Sequence, residues 1–180
     1  MTLNRATLYP VIAILILAGS AFTFITTQNW QIAEGYSVNF TSDDASGIFK
    51  GLKGGVVFDE QNPAVSKFDV TVDVATLNTG NGLQNKHAKS DEWFDAVKYP
   101  VIHYVSRQVT KSGSGYQVAG DLEIHGVKQF VLIPFTFQKT ATGGIFAGKF
   151  TINRNDFKVG KPGGDVGEVI KIDLQVPVTK

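Results

Sequence analysis

Three histidines are the side chains best suited to chemistry in this chain, which contains no cysteine. Imidazole serves as a general base or as a metal ligand near neutral pH. His87, His103 and His125 lie far apart in the sequence and match no compact metal motif, such as histidines at positions i and i+4 of a helix. We therefore predict no metal site, although a three-histidine site assembled from different strands stays open.

The segment Gly143–Lys149 has the Gly-x4-Gly-Lys outline of a phosphate-binding loop. Such a loop needs a Ser or Thr after the Lys to bind magnesium, and a helix behind the glycines. Phe150 occupies that position, and the sequence continues with a β pattern. We therefore interpret the glycines as a hairpin turn. A catalytic triad dispersed along the chain stays open, but no nucleophile motif indicates one.

The composition of the 180 residues is that of one globular domain with an N-terminal addition. Charged residues make up 18% of the chain and apolar residues 43%, so the chain can bury enough surface to fold. Its 17 Lys and Arg against 16 Asp and Glu indicate no basic face for nucleic acid. The lack of cysteine excludes disulfides, zinc–thiolate sites and a cysteine nucleophile.

The N-terminal segment has the pattern of a targeting sequence. No Asp, Glu, Lys or Arg occurs between Arg5 and Glu34, and Leu8–Ala18 is an apolar run behind a positive start. The small residues of Gly19-Ser20-Ala21 then suit cleavage of a signal peptide. The alternative is an uncleaved anchor, because residues 8–27 are long enough to cross a bilayer.

Both interpretations divide the chain in the same way. Residues 1–27 are predicted to be a signal peptide or an N-terminal membrane anchor, and residues 28–180 a single domain. The positive start stays in the cytoplasm and acidic residues follow the apolar run. The domain is therefore predicted to be periplasmic or secreted, or anchored to the membrane by residues 8–27 with the domain outside the cytoplasm.

The domain has the alternation of β-strands. Apolar and polar residues alternate from Lys67 to Val74 and from Ile170 to Val178, which predicts strands with one buried face. Val127–Phe137 is apolar on both faces, so we predict that both faces are covered. Further runs bring the total to about eight strands. They are Tyr36–Phe40, Gly51–Asp59, Val101–Val109, Tyr116–Ile124 and Ile145–Ile152.

A change of pattern interrupts the strands. Residues from Leu83 to Val97 favour a helix, which Pro100 ends. Gly120 predicts a bend or a bulge within its strand. Many short strands joined by hairpins, with one short helix, predict an all-β fold in which an eight-stranded antiparallel sheet closes into a barrel. The interior of such a barrel is either filled by side chains or holds one slender ligand.

Four groups of residues form a set of motifs along the domain. The first comprises Trp30-Gln31-Ile32, Ser37–Phe40 and Gly47–Gly54, and the second Leu77–Gly80, His87, Ser90, Trp93-Phe94-Asp95 and Lys98-Tyr99-Pro100. The third is Gly120–Val127, and the fourth Ile152–Phe157. In order and approximate spacing, these motifs resemble those of the YceI-like family of polyisoprenoid-binding proteins. The resemblance covers about residues 30–178.

The resemblance implies an extended, lipocalin-like antiparallel barrel with an apolar channel. The channel would hold a long isoprenoid lipid, of the polyprenyl phosphate or quinone type. Three departures from the family's pattern concern polar positions, namely Tyr36, Asn85-Lys86 and Lys158. They affect the expected head-group recognition more than the expected fold.

The resemblance and the residue chemistry together predict a head-group site and a channel wall. The head-group candidates are basic residues, histidines and a serine, which suit a phosphate or a quinone carbonyl. They are Lys86, His87, Ser90, His125 and Arg154. The predicted channel lining is Phe40, Phe49, Val70, Val72, Phe94, Leu122 and Phe150. Structural roles stay open for three of the candidates: Ser90 with Asp91 as a helix cap, His125 in a turn, and Arg154 paired with Asp156 or another carboxylate.

The favoured function is binding of an isoprenoid lipid outside the cytoplasm, as carrier, reservoir or sensor, without catalysis or a cofactor. One alternative is an enzyme that modifies an isoprenoid or a quinone with His87 or His125 as base or metal ligand. Another is a ligand-free structural or adhesion module. The expected partners are the lipid, and the membrane if the N-terminal segment is uncleaved. A homodimer stays open.

Overall fold

The computed structural model describes residues 28–163 and 166–180. The predicted signal peptide or anchor, residues 1–27, lies outside the described residues. Within the described part of the chain, no helix is both long enough and apolar enough to span a bilayer.

Ten β-strands, one α-helix and three short 3-10 helices make up the described chain. The strands are β1 (Asn29–Ile32), β2 (Ser37–Thr41), β3 (Ser46–Phe49), β4 (Lys53–Val57), β5 (Lys67–Asp73), β6 (Val101–Ser112), β7 (Gly115–Ile124), β8 (Val127–Lys139), β9 (Gly143–Asn153) and β10 (Val169–Thr179). The α-helix is α1 (Gly82–Ala88), and the 3-10 helices are Pro63–Val65, Val74–Thr76 and Arg154–Phe157.

The strands close into the predicted eight-stranded antiparallel barrel. The ten strands count as eight because two strands of the barrel are each interrupted and so appear as two shorter ones. Strands β1 and β2 both pair with β10, one after the other, and act as two halves of one strand. Strands β3 and β4 pair with β2 and β1 in the same way. From β4 the sheet continues in sequence order through β5 to β10, and the β1–β10 pairing closes it.

The barrel wall is incomplete beside β3. Strand β4 pairs with β5, whereas β3 has only a single bridge on that side, between Ile48 and Asn78. The chain between β5 and β6 covers the gap, and its two ends meet where the amide of Val74 donates to the carbonyl of Pro100 at 2.9 Å. We call this part of the molecule the helix end, because it carries α1.

Helix α1 is shorter than the sequence predicted. Asn81 caps it, with its side-chain oxygen accepting hydrogen bonds from the amides of Leu83 and Gln84. The helix ends at Ala88, and turns occupy the rest of the predicted span. Ser90 and Asp91, left open as a helix cap, do not begin a helix: turns follow them, and the hydroxyl of Ser90 donates to the carbonyl of His87 at 2.7 Å, at the C-terminal end of α1.

The irregularity predicted at Gly120 is present as a register shift in the β6–β7 pairing. Ser106 pairs with Gly120, and Gln108 with Ala119, so β6 carries one extra residue there. A Cβ on residue 120 would lie 2.7 Å from the hydroxyl oxygen of Tyr104. Glycine is therefore required for the Tyr104 ring to lie across this position.

The sequence predicted that both faces of strand β8 are covered, but only the inner face is. Ile133 and Phe135 point into the barrel and are buried, whereas Phe130 is 57% exposed and Leu132 is 50% exposed. The guanidinium of Arg107 lies 5.6 Å from the centre of the Phe130 ring and shields part of it. An apolar outer face therefore does not by itself indicate a second covering layer.

Aromatic rings fill the end of the barrel opposite α1. Phe58 is 1% exposed and packs against five other rings, at centroid distances of 5.0 to 6.4 Å. Those rings belong to Phe68, Tyr116, Phe135, Phe137 and Phe146. We call these six residues the aromatic cluster. It closes this end of the barrel and forms the floor of the space above it.

Candidate functional site: an apolar channel

The middle of the barrel holds a cavity of about 200 Å³, here called the barrel cavity. Its wall consists of inward-facing residues from the strands, because alternate side chains of every strand point to the interior. The lining comprises Ile32, Val38, Phe49, Leu52, Val56, Phe68, Val70, Val72, Ile102, Tyr104, Val118, Leu122, Ile124, Ile133, Phe135, Phe146, Ala147, Gly148, Phe150, Ile152, Ile172, Leu174 and Val176. Tyr104 contributes the one polar side chain in this lining.

A second cavity of about 190 Å³, here called the helix-end cavity, lies beneath α1 and the turns that follow it. Its apolar lining includes Phe40, Leu77, Trp93, Phe94 and Phe157. Unlike the barrel cavity, it also has several polar residues. They are Ser42, Asp44, Thr79, Gln84, His87 and Arg154.

The two cavities share part of their walls. Five residues from five different strands line both of them, and we call this ring of residues the waist. They are Phe49, Ile102, Ile124, Ile152 and Ile172. The two cavities therefore adjoin, end to end, between the aromatic cluster and the helix end, and we call them together the channel.

All seven residues predicted to line a channel lie in these walls. Val70, Val72, Leu122 and Phe150 line the barrel cavity, and Phe49 lines both cavities. The other two, Phe40 and Phe94, line the helix-end cavity. Their contact with a lipid stays a prediction.

The predicted head-group residues are divided by the structure. His87 and Arg154 line the helix-end cavity, whereas Lys86, Ser90 and His125 line neither cavity. His125 adopts a positive φ of 53° in the tight turn between β7 and β8, and its ring packs edge-on against Tyr99. Its Nδ1 atom is buried and has no hydrogen-bond partner among the described residues.

His87 is held in one tautomer by its neighbour. The indole nitrogen of Trp93 donates to Nε2 of His87 at 2.8 Å. Because an indole nitrogen can only donate, Nε2 must accept, and a neutral His87 carries its proton on Nδ1. That nitrogen lies 3.9 Å from Oε2 of Glu92. Nδ1 is thus the nitrogen of His87 that remains able to donate to another group.

Arg154 is 3% exposed and connects the segments that surround the helix-end cavity. Its Nη2 donates to the carbonyl of Val166 at 2.9 Å, and its Nη1 donates to the carbonyls of Val159 and Lys161 at 2.9 and 3.0 Å. The guanidinium also lies 5.2 Å from the centre of the Trp93 ring. A structural role is therefore present, but the partners are backbone carbonyls and the side-chain oxygen of Asn155 rather than a carboxylate.

The sequence did not single out the other polar residues of the helix-end cavity. Ser42 is buried, and its hydroxyl donates to the carbonyl of Ala45 at 3.1 Å in the turn between β2 and β3. Asp44 lies in the same turn. Thr79 falls within the Leu77–Gly80 motif, which was the one available signal for it, and its hydroxyl donates to Oδ1 of Asn85 at 2.9 Å.

The three histidines occupy separate environments. His87 bonds to Trp93, and His103 lies 2.7 Å from a carboxylate oxygen of Asp69 on the neighbouring strand. His125 packs against Tyr99. In the described ranges, no three His, Cys, Asp or Glu side chains form a group able to hold a metal ion. The three-histidine site that the sequence left open is therefore not assembled.

Tyr104 stands out within the barrel cavity. The residue is 7% exposed, and its hydroxyl is buried without a hydrogen-bond partner among the described residues. Burial, together with the negative charge of Asp121, raises the pKa of this hydroxyl above its ordinary value. It therefore stays protonated, and the barrel cavity carries no ionised group in its wall.

A closed barrel with an apolar internal channel defines the class of protein, and comparison with known proteins identifies the family. Residues 25–178 match the YceI-like domain, so the chain belongs to the YceI-like family. A UPF0312 protein of Photorhabdus laumondii is 41% identical over 87 residues, which cover 48% of this chain and 45% of that protein. The chain thus spans about half the length of this relative.

Solved structures share the fold. BcnA of Burkholderia cenocepacia superposes with a TM-score of 0.76 and 28% identity, over 81% of this chain and 96% of that chain. A domain from Saccharophagus degradans superposes with a TM-score of 0.63 and 15% identity, over 85% of this chain and 98% of that chain. It is described as a polyisoprenoid binding domain implicated in plant cell wall breakdown. At that identity the similarity concerns the fold alone.

Proposed function

We propose that this protein binds one isoprenoid lipid in its channel, outside the cytoplasm, as carrier, reservoir or sensor. The observation that carries the proposal is the channel itself, which a slender apolar chain would fill. Supporting it are the family membership and the polyisoprenoid binding of the Saccharophagus degradans domain with the same fold. The pattern of the N-terminal segment supports a location outside the cytoplasm.

An isoprenoid chain has the right chemistry for these walls. Burying a methylene gains about 0.8 kcal/mol, so a five-carbon isoprene unit offers roughly 3 to 4 kcal/mol before the cost of ordering the chain. Hydrophobic contact is not directional, so the walls need no specific polar contacts along the tail. Selection between lipids must then come from the head group and from the length of the tail.

The distribution of polar groups orients the ligand. Among the residues that line the two cavities, Tyr104 is the one polar residue of the barrel cavity, and the other polar residues line the helix-end cavity. The head group therefore lies in the helix-end cavity, and the tail points toward the aromatic cluster. The Nδ1–H of His87 suits a carbonyl or phosphate oxygen. The positive charge of Arg154 favours a negatively charged or strongly polarised head group, even though its hydrogens bond to carbonyls. A polyprenyl phosphate and a quinone are the two classes that fit.

The geometry does not favour the enzyme alternative. Nε2 of His87 accepts from Trp93 and is not free to take a proton from a substrate. His125 lines neither cavity, so it does not face a ligand in the channel. Binding without catalysis is the function that these placements support best.

Mass spectrometry of organic extracts from natively purified protein tests the proposal. We expect one isoprenoid lipid to co-purify with the wild-type protein. The variant Leu122→Trp places extra bulk in the barrel cavity and should lose that lipid. Val105→Trp, on the outer face of the neighbouring strand β6, is the matched control and should retain it.

Two outcomes would contradict the proposal. Repeated absence of lipid from wild-type extracts would favour a ligand-free structural module. Equal lipid content in Leu122→Trp and the wild type would show that the lipid binds elsewhere. The intact mass of the protein and its distribution between cell fractions test the proposed location separately.

A further inference from the structure

The two cavities adjoin at the waist, so a lipid tail that occupies both of them passes there. We propose that Phe49 controls this passage and thereby sets the chain length that the protein selects. The inference rests on the proposed function and concerns the same channel. It identifies a residue that determines specificity without contacting the head group.

Phe49 is the bulkiest side chain of the waist, since the other four residues are isoleucines. It is 7% exposed, and its ring centre lies 5.4 Å from that of Phe40 and 5.9 Å from that of Phe94. Phe40 and Phe94 line only the helix-end cavity. The Phe49 ring therefore contacts both of these rings and also borders the barrel cavity.

The backbone beside Phe49 is fixed. Ile48 and Asn78 exchange two backbone hydrogen bonds, at 2.9 and 3.0 Å, which tie β3 to the chain that covers the helix end. A Cβ on residue 47 would lie 2.6 Å from the Phe40 ring and 2.6 Å from the carbonyl oxygen of Asn78. Because the main chain is tightly enclosed on both sides, a substitution at position 49 should change the width of the waist through its side chain rather than through a shift of the backbone.

The waist separates a polar compartment from an apolar one. A short isoprenoid fits within the helix-end cavity, beside the polar groups, and gains nothing from the barrel cavity. A long isoprenoid gains binding energy for each further methylene that it buries beyond the waist. The size of the side chain at position 49 should therefore change the affinity for long lipids and leave the affinity for short lipids nearly unchanged.

Binding of a short prenol, farnesol, and a long prenol, solanesol, measured by native mass spectrometry, tests this. In Phe49→Trp the affinity for solanesol should fall at least about tenfold, which corresponds to roughly two methylenes left unburied. The affinity for farnesol should change less than about twofold. Phe40→Trp, which adds the same bulk to the helix-end cavity alone, should weaken both prenols equally.

The opposite change provides a second measurement that does not depend on the folding of Phe49→Trp. Phe49→Leu widens the waist and should raise the ratio of solanesol to farnesol affinity about fourfold, the value of roughly one more buried methylene. Thermal unfolding of each variant checks that it is folded.

The outcomes separate the inference from the proposed function. If the wild type binds both prenols and neither Phe49 variant changes the ratio of their affinities, the role of Phe49 is wrong and lipid binding stands. A Phe49→Trp variant that loses both prenols equally also overturns the inference. If the wild type retains neither prenol and its organic extracts contain no isoprenoid, the proposed function fails and the inference fails with it. If it retains neither prenol although an isoprenoid co-purifies, the length of the tail does not set the affinity and the inference alone fails.

Discussion

At one end of the barrel, aromatic rings fill the interior, whereas at the helix end the same sheet encloses empty space. Phe58 and the rings around it are packed as in an ordinary protein core. Toward the other end, the walls do not meet, and the barrel cavity and the helix-end cavity remain between them. We infer that the two ends have different roles. The packed end stabilises the fold, and the hollow end leaves space for a ligand.

The largest expected effect is a difference in the free energy of unfolding between substitutions at the two ends. Phe58→Ala removes the centre of the aromatic cluster and should lower the free energy of unfolding by about 3 to 5 kcal/mol. Phe150→Ala, in the wall of the barrel cavity, should cost less than about 2 kcal/mol, because that ring is half-buried and already borders empty space. Urea unfolding measures both. Equal losses would show that the hollow region carries as much of the stability as the cluster.

Arg154 tests whether the helix end depends on polar rather than apolar contacts. Arg154→Lys keeps the charge but loses the planar group that donates to Val159, Lys161 and Val166, and should cost about 2 to 3 kcal/mol. The control is Arg107→Lys, whose side chain is 62% exposed in its ion pair with Asp121, and which should cost less than about 1 kcal/mol. Chemical denaturation distinguishes the two, and similar losses would contradict the structural role of Arg154.

The smallest effect concerns Tyr104, in the wall of the barrel cavity. Because its buried hydroxyl has no partner in the described structure, Tyr104→Phe should leave stability unchanged or raise it by up to about 1 kcal/mol at neutral pH. A loss of more than about 1 kcal/mol would show that the hydroxyl is bonded after all.

The pH dependence of Tyr104 gives a second, independent measurement. The raised pKa means that the unfolded state loses this proton first, so the free energy of unfolding should fall as the pH rises above about 10. This part of the alkaline loss should be absent in Tyr104→Phe. Urea unfolding of both proteins across the alkaline range measures the difference, and identical slopes would show that Tyr104 does not contribute.

The sequence predicted the regular part of the barrel well, because alternation identifies the inward face of a strand. Val70, Val72 and Leu122 lie on the apolar faces of alternating runs, and each of them lines the barrel cavity. The outer face of β8 was misjudged for a related reason. Alternation reports which side chains share a face, but it does not report whether another layer covers that face, and Phe130 is exposed.

The helix end was harder to predict, because its structure depends on contacts between distant segments. The pattern from Leu83 to Val97 favoured one helix. In the structure the chain turns after Ala88, and the amide of Phe94 donates to the carbonyl of Ala88 at 3.1 Å. Ser42 and Asp44 reach the cavity because β2 and β3 form a hairpin beneath α1. No local pattern indicates such a position.

The empty channel also determines how the protein responds to hydrostatic pressure. Unfolding eliminates internal voids, so a protein that contains them loses volume when it unfolds, and compression drives it toward the unfolded state. A bound lipid occupies that volume and opposes the collapse. The lipid-free form should therefore denature at a lower pressure than the loaded form, which gives a measure of occupancy that needs no knowledge of the lipid's identity.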